Sequence, residues 1–284
     1  MARTEYQLRN GDTLSPLGPP VADLFKEYAR RVSRYKRGER WEVFRMESWM
    51  GSDLAQLSVG EVSSADIAKW RDDRRLQVSD ATVRREMSLV GHVFSKAKEW
   101  GYREDNPTLG VKKPKDHQPR TRRIAQAEID KLCEVAGFDG LAANTLAQRV
   151  AVAMLFSVET AMRAGEVCLL KSDLIDGRVA RLPKTKNGYA RDVPLSSRAL
   201  ELLALVESDF RLTSAQVDAT FRRLKAKAKL TDLHYHDTRR EALSRLSQKL
   251  TALQLAKMSG HRDLKILLNV YYQESAEDVA DLLD

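Results

Sequence analysis

A chain of 284 residues with 43% hydrophobic and 31% charged residues, 14 Gly and 8 Pro has the composition of a helix-rich globular protein. It is long enough for two domains of about 150 residues each, and a disordered, fibrous or mini-protein class is excluded. Lys and Arg number 48 against 40 Asp and Glu, a net charge of +8 that favours polyanionic partners without proving one.

Residues 1–20 read as an amino-terminal extension; the start MARTEYQLRNGD has no apolar signal core. Helices are expected at Val21 to Tyr35, Trp41 to Met50 and Ser64 to Leu76. A longer one, Ser79 to Trp100, carries Val83, Met87, Val90, Val93, Phe94 and Ala97 on one face, and Gly101 and Asn106-Pro107 end it. All four tryptophans fall within these first hundred residues, so 21–110 is expected to be a helical domain with its own core.

Residues 111–123, VKKPKDHQPRTRR, hold Lys112, Lys113, Lys115, Arg120, Arg122 and Arg123 against a single Asp. This reads as a basic linker: a solvated connector or, preferred here, a strap along a phosphate backbone, where each neutralised phosphate releases a counterion.

The remainder, 124–284, opens with helices at Gln126 to Val135 and Ala142 to Thr160, then Arg163 to Leu170. Asp176-Gly177 signals a turn. Arg178 to Pro183 and Ala190 to Leu195 read as strands joined through Asn187-Gly188. Helices resume at Ser197 to Glu207, Ser214 to Lys229, Arg239 to Lys249, Ala252 to Met258 and Leu264 to Asn269. A closing helix, Ser275 to Leu283, starts like a capping box at Ser275 and Asp278, and its stripe of Val279, Leu282 and Leu283 needs a cover. The fold expected is mainly α with a small β-sheet. Apolar stretches such as Val150 to Val158 are too short for the roughly 20 residues of a membrane span, so the cytoplasm is expected and no membrane. Cys133 and Cys168 lie in apolar helical patterns and suit ordinary burial in a reducing compartment.

Three stretches concentrate groups suited to a phosphodiester: ETAMRAGEV (159–167), HYHDTRREA (234–242) and SGHRDLKILLNVYY (259–272), with the hairpin KTKNGYARDVPL (184–195) between the first two. Taken singly each is weak: Arg163 with Glu166 could be a surface ion pair worth at most about 1 kcal/mol. His234 and His236 form a His-x-His, but no Cys, Asp or Glu at suitable spacing completes a tetrahedral zinc set, so no metal is expected.

In order and together, these motifs resemble those of the tyrosine recombinase family, the phage-type integrases, over roughly residues 20 to 284. The resemblance implies a first catalytic arginine at Arg163 with Glu166 supporting it, a hairpin lysine at Lys186, a His-x-x-Arg box at His236 and Arg239, a further histidine at His261, and a tyrosine nucleophile. Lys184 is the alternative to Lys186. The usual spacing of nine residues from the box histidine to the tyrosine falls on Val270. Tyr271 is preferred by its distance from the acidic helix start at Ala276-Glu277, with Tyr272 as the alternative.

The chemistry agrees with these residue types. Two guanidiniums can clamp the non-bridging oxygens of a pentacoordinate phosphorus. A hairpin ammonium can protonate the departing 5′ oxygen. A phenol whose free pKa is about 10 needs cationic or hydrogen-bonding neighbours, here His236 and His261, to lose its proton.

The family further implies a two-domain clamp on duplex DNA, made of a helical core-binding domain and an α+β catalytic domain. Also implied are integration or excision without ATP, metal or other cofactor, a nucleoid-associated location in a phage or prophage setting, and accessory DNA-bending proteins. A homo-tetramer would dock through residues 275–283. The roughly 20 residues before Val21 are too few for the arm-binding domain such integrases often carry. One alternative is a DNA-binding protein of the same fold without strand exchange. A metal-dependent nuclease would need a carboxylate cluster that is not seen.

Overall fold

The computed structural model describes residues 18–115, 120–183 and 190–272. The chain divides into two compact units, Met1–Pro119 and Arg120–Asp284, a division that falls inside the basic stretch at 111–123.

In the first unit, α1 (Val21–Arg31) buries Val21, Leu24, Phe25 and Tyr28, the i, i+3, i+4, i+7 face of a helix on a core. The expected continuation to Tyr35 breaks into a 3-10 turn at Ser33–Tyr35. Lys36 Nζ donates to the Tyr28 hydroxyl (2.7 Å) and to Glu42 (2.9 Å), which folds the chain back early. Next come α2 (Glu39–Trp49), the single turn α3 (Asp53–Gln56), too short to show a period, and α4 (Ser64–Arg75), started by a capping box of Ser63 and Asp66. The long α5 (Asp80–Glu99) begins where the Ser79 side chain accepts from the Thr82 N–H, and it buries the six apolar residues expected of it. Trp49 meets Phe25 and Trp70 edge-on at 5.7 and 5.3 Å between ring centroids, the favoured aromatic geometry. Glu86, also on α5, is fully buried; Arg74 donates two hydrogen bonds to it (2.9 and 3.0 Å) and Arg45 lies at 3.5 Å.

Residues 111–115 are not a free connector. Val111 and Pro114 are buried, Arg71 and Arg84 donate to the Lys112 and Pro114 carbonyls, and Lys113 Nζ donates to Ser88 Oγ at 2.9 Å. The two apolar side chains and two backbone acceptors find partners in the first unit, which basic composition alone conceals.

The second unit is built around α7 (Leu146–Thr160), nine of whose residues are buried. Packed on it are α6 (Gln126–Val135), α9 (Ser197–Ala204), α10 (Ser214–Lys227) and α11 (His236–Ser247). Helix α7 starts four residues later than expected because Thr145 and Gln148 form a capping box. The expected helix 163–170 shrinks to α8 (Ala164–Val167).

A three-stranded antiparallel sheet follows: β1 (Ile175–Asp176), not foreseen, then β2 (Val179–Leu182) and β3 (Arg191–Pro194), in that order. Register pairs Leu182 with Arg191 and Ala180 with Val193. The chain then forms α12 (Ala252–Ser259) and α13 (Leu264–Tyr271). Helix α11 begins at His236, three residues ahead of expectation, so both ends of the His-x-x-Arg box share one helix. Lys184, Lys186, the Asn187-Gly188 turn and the closing segment 275–283 lie outside the described residues. Among the described residues, no helix is long and apolar enough to cross a membrane.

Candidate active site

The site begins where α7 ends. Ala161 adopts a left-handed conformation (φ +53°), which costs a residue with a side chain about 1 kcal/mol. That turn sends the chain into Arg163 and offers the Ala161 carbonyl to Arg239. The Arg239 guanidinium, only 3% exposed, donates to Ala161 O and, at 2.7 Å, to Ser259 O. One side chain thereby joins the end of α7, helix α11 and the end of α12.

Glu166 is the hub of the opposite wall. Its carboxylate accepts from the Arg163 N–H (2.8 Å) and Arg163 Nη1 (3.0 Å), and from both terminal nitrogens of Arg191 (2.7 and 2.8 Å). Burial alone would raise its pKa, but these bonds and both positive charges outweigh that and hold it below the ordinary carboxylate value. The Arg163–Glu166 pair is thus part of a buried network and not an isolated surface pair.

Arg191 was not singled out from sequence, although a signal existed. Strand alternation places it on the inward side with Val193 and Leu195, and a charged residue in an inward register needs a partner. It also lies under Gly260 (φ +73°), where a Cβ would stand 3.0 Å from Arg191 Nη1, so the glycine of the SGH motif gives the guanidinium its room.

His261 Nδ1 lies 2.7 Å from Ser259 Oγ, and that hydroxyl already donates to the Leu255 carbonyl at 2.5 Å. A hydroxyl has one proton to give, so Nδ1 carries its own proton and Nε2 keeps a lone pair. Burial first, then Arg239, Arg163, Arg191 and His236, push His261 down to about 4. His236 is lowered too, by desolvation and then by Arg239 and Arg163. The histidines are therefore held neutral at neutral pH. They can exchange hydrogen bonds or a proton, but the positive charge expected of them comes from arginines instead. Burial and repulsion from Arg163 and Arg191 push Arg239 itself down to about 9, still a cation at neutral pH.

Tyr271 ends α13, half-buried. Burial raises its pKa, while Arg240, Arg239 and Arg123 pull the other way. Tyr272 turns elsewhere, its hydroxyl donating to the Leu250 carbonyl at 2.5 Å. Arg163, Glu166, His236, Arg239, His261 and Tyr271 thus come together, linked by contact or by mutual charge effects.

The arginines expected in the strap carry acidic partners. Arg120 pairs with Asp232 (2.8 Å) and Asp237 (3.1 Å), Arg122 with Glu128 (2.6 Å), and Arg123 with Glu241 (2.8 Å). A phosphate would have to compete with these carboxylates. Lys112 and Lys115 are exposed on the first unit. Cys133 is pushed up to about 11, by burial and then by Asp130, as a non-reactive thiol would be. Among the described residues, no three His, Cys, Asp or Glu side chains gather to hold a metal ion.

The phage integrase family matches residues 122–278. A putative integrase/recombinase of Haemophilus influenzae is 40% identical over 274 residues, covering 93% of this chain and 90% of that protein. A shufflon-specific DNA recombinase of Escherichia coli is 33% identical, over 85% of this chain and 66% of that one. Among solved structures, a lambda integrase tetramer bound to a Holliday junction superposes with a TM-score of 0.72 at 16% identity, covering 92% of this chain and 85% of that one. At that identity the likeness concerns the fold.

Proposed function

This chain belongs to the phage integrase family of tyrosine recombinases, and we propose that it cuts and rejoins duplex DNA at specific sites through a covalent 3′-phosphotyrosyl intermediate on Tyr271. The observation that carries this reading is the charge of the cluster. Arg163 and Arg191 both bond to one carboxylate, Glu166, while Arg239, the most deeply buried of the three, meets only carbonyl oxygens among the described residues. A phosphodiester supplies the missing anion.

In the reaction, the Tyr271 proton passes to a neutral imidazole, a role this reading gives to His236, the first residue of α11. The phenolate oxygen then forms a bond to phosphorus. Arg163 and Arg239 hold the non-bridging oxygens while charge builds there. The bond from phosphorus to the 5′ oxygen breaks, and that oxygen takes a proton from Lys186. His261 lines the phosphate through Nε2 once the added negative charge draws a proton onto that ring. Attack on the phosphotyrosine by a 5′ hydroxyl from a second strand reverses these steps and needs no ATP, because the ester keeps the energy of the broken bond.

In this reading, the helical unit and the basic residues Lys112, Lys113 and Lys115 grip the backbone, and Arg120, Arg122 and Arg123 join them only by exchanging their carboxylate partners for phosphates. Four copies act together, docked through residues 275–283, as the lambda integrase tetramer on a Holliday junction suggests by analogy.

The test uses a randomised pool of duplexes with a nick near the scissile position, so that cleavage is trapped. The full chain should form SDS-resistant adducts, indifferent to a chelator, and mass spectrometry should place the nucleotide on Tyr271. Tyr271→Phe should abolish the adduct and keep duplex binding. Duplex binding without any adduct would favour a DNA-binding protein that lacks strand exchange.

A further inference from the structure

Arg240 follows Arg239 on α11, about 100° further around the helix. Arg239 turns inward to its two carbonyls, whereas the Arg240 guanidinium carbon sits 5.7 Å from the centroid of the Tyr271 ring on α13. Both side chains are half-buried, where a cation over an aromatic face attracts it more strongly than in open water.

The charged groups facing the ring come from two elements. Helix α11 gives Arg239 and Arg240, and the segment before α6 gives Arg123. Arg123 is held by Glu241 at 2.8 Å, and Arg239 by Ala161 and Ser259. From α12 the neighbours are apolar, Leu255 and Ala256, in a cluster with Leu243 and Leu267. Tyr272, anchored to Leu250, fixes the end of α13 so that the preceding ring is the one that meets Arg240.

From this geometry we propose that Arg240 is a positioning residue for the nucleophile. Its planar guanidinium holds the Tyr271 ring in reach of the phosphate and puts a positive charge 5.7 Å from the centre of the ring that carries the phenolate. The proposal rests on Tyr271 being the nucleophile, as argued under the proposed function. A guanidinium suits this place better than an imidazole, because it stays charged beside other cations and its flat face matches the ring. It also answers a need left open by His236 and His261, whose pKa values are lowered so that neither brings a charge.

The experiment uses the full chain and the duplex that the wild-type protein captures from the randomised pool. That duplex is resynthesised with a bridging sulfur in place of the scissile 5′ oxygen, so departure needs no general acid and the rate reports the nucleophile side alone. Adducts of the wild-type chain are mapped first. Adducts on Tyr272 would overturn the nucleophile assignment, and Arg240 with it, before any Arg240 variant is read.

With Tyr271 established, Arg240→Gln should slow adduct formation about tenfold and move the pH dependence of the rate to higher pH, because the phenol ionises less readily without its cation. Duplex affinity should be unchanged, and Arg240→Lys, which keeps the charge but not the flat face, should restore the original pH midpoint and only part of the rate. Far-ultraviolet circular dichroism checks that both variants fold. Two results would overturn the proposal: loss of duplex affinity in both variants with an unmoved pH profile, which marks a phosphate contact, or wild-type rates in both.

Discussion

Each unit buries an arginine-rich cluster, and the two clusters are built on opposite terms. In the first unit, Glu86 is fully buried and Arg74 and Arg45 close on it, their outer edges still reaching solvent. One carboxylate serves two guanidiniums there, as Glu166 does in the second unit, but both lie within 3.5 Å of it. In the second unit, Glu166 serves Arg163 and Arg191 together, while Arg239 is buried more deeply than either Arg74 or Arg45 and, among the described residues, has only carbonyl oxygens as acceptors. Burial and like charges lower its pKa. A compensated cluster holds a fold together; an uncompensated one stores unfavourable energy that a bound anion relieves. Motif resemblance aside, the deep burial of Arg239 away from any carboxylate contact among the described residues makes the second cluster the candidate for holding an anion.

The contrast can be broken in three ways, ordered by the size of the effect. Arg239→Gln removes a buried cation proposed to hold the phosphate and should slow adduct formation on the captured duplex about a thousandfold, with the protein still folded by circular dichroism. A loss below about tenfold would place Arg239 outside the clamp.

Glu86→Gln leaves Arg74 without its counter-charge and should destabilise the first unit by about 3 kcal/mol. Tryptophan fluorescence in urea reads this directly, because Trp41, Trp49, Trp70 and Trp100 all lie in that unit. An unchanged midpoint would mean that the ion pairs contribute nothing net.

The smallest effect is on pH. His261, and to a lesser extent His236, have folded pKa values below the unfolded 6.5, so between that value and about 4 the unfolded chain binds more protons. Their contribution to stability is fully present above pH 6.5 and fades as acid is added. The Glu166 contribution is present above the unfolded 4.5 and is lost below it. The second unit should therefore loosen between pH 7 and 4, seen as smaller protection factors in α11 and α12 once the intrinsic pH dependence of amide exchange is divided out, and His261→Asn should flatten that slope. Equal protection factors at both pH values in the wild-type protein would refute it.

Much of this was legible in the sequence because it is local. The apolar face of α5 repeats at helical spacing, the boxes around Arg163, His236 and His261 are short runs, and the hairpin strands alternate and are bounded by turn residues. Helix starts were misplaced where a cap intervened, as at Thr145, since a capping side chain competes with continued periodicity. Local sequence does not pair Arg191 with Glu166, 25 residues away, or Arg123 with Glu241, 118 residues away. The preference for Tyr271 over Tyr272 came from counting. The two rings differ in surroundings that counting does not show: Tyr271 meets the Arg240 guanidinium, and the Tyr272 hydroxyl donates to the Leu250 carbonyl.

By itself, the sequence determined membership of a chemical family, the mainly helical fold with its small sheet, and which side chains are candidates for phosphate chemistry, because residue type and short-range spacing carry that information. Only the tertiary structure decided which of those charges are neutralised, which imidazoles are kept uncharged and which tyrosine faces the arginines. Those properties depend on burial and on distances between remote segments, and a linear spacing does not encode the local dielectric or the partner of a charge.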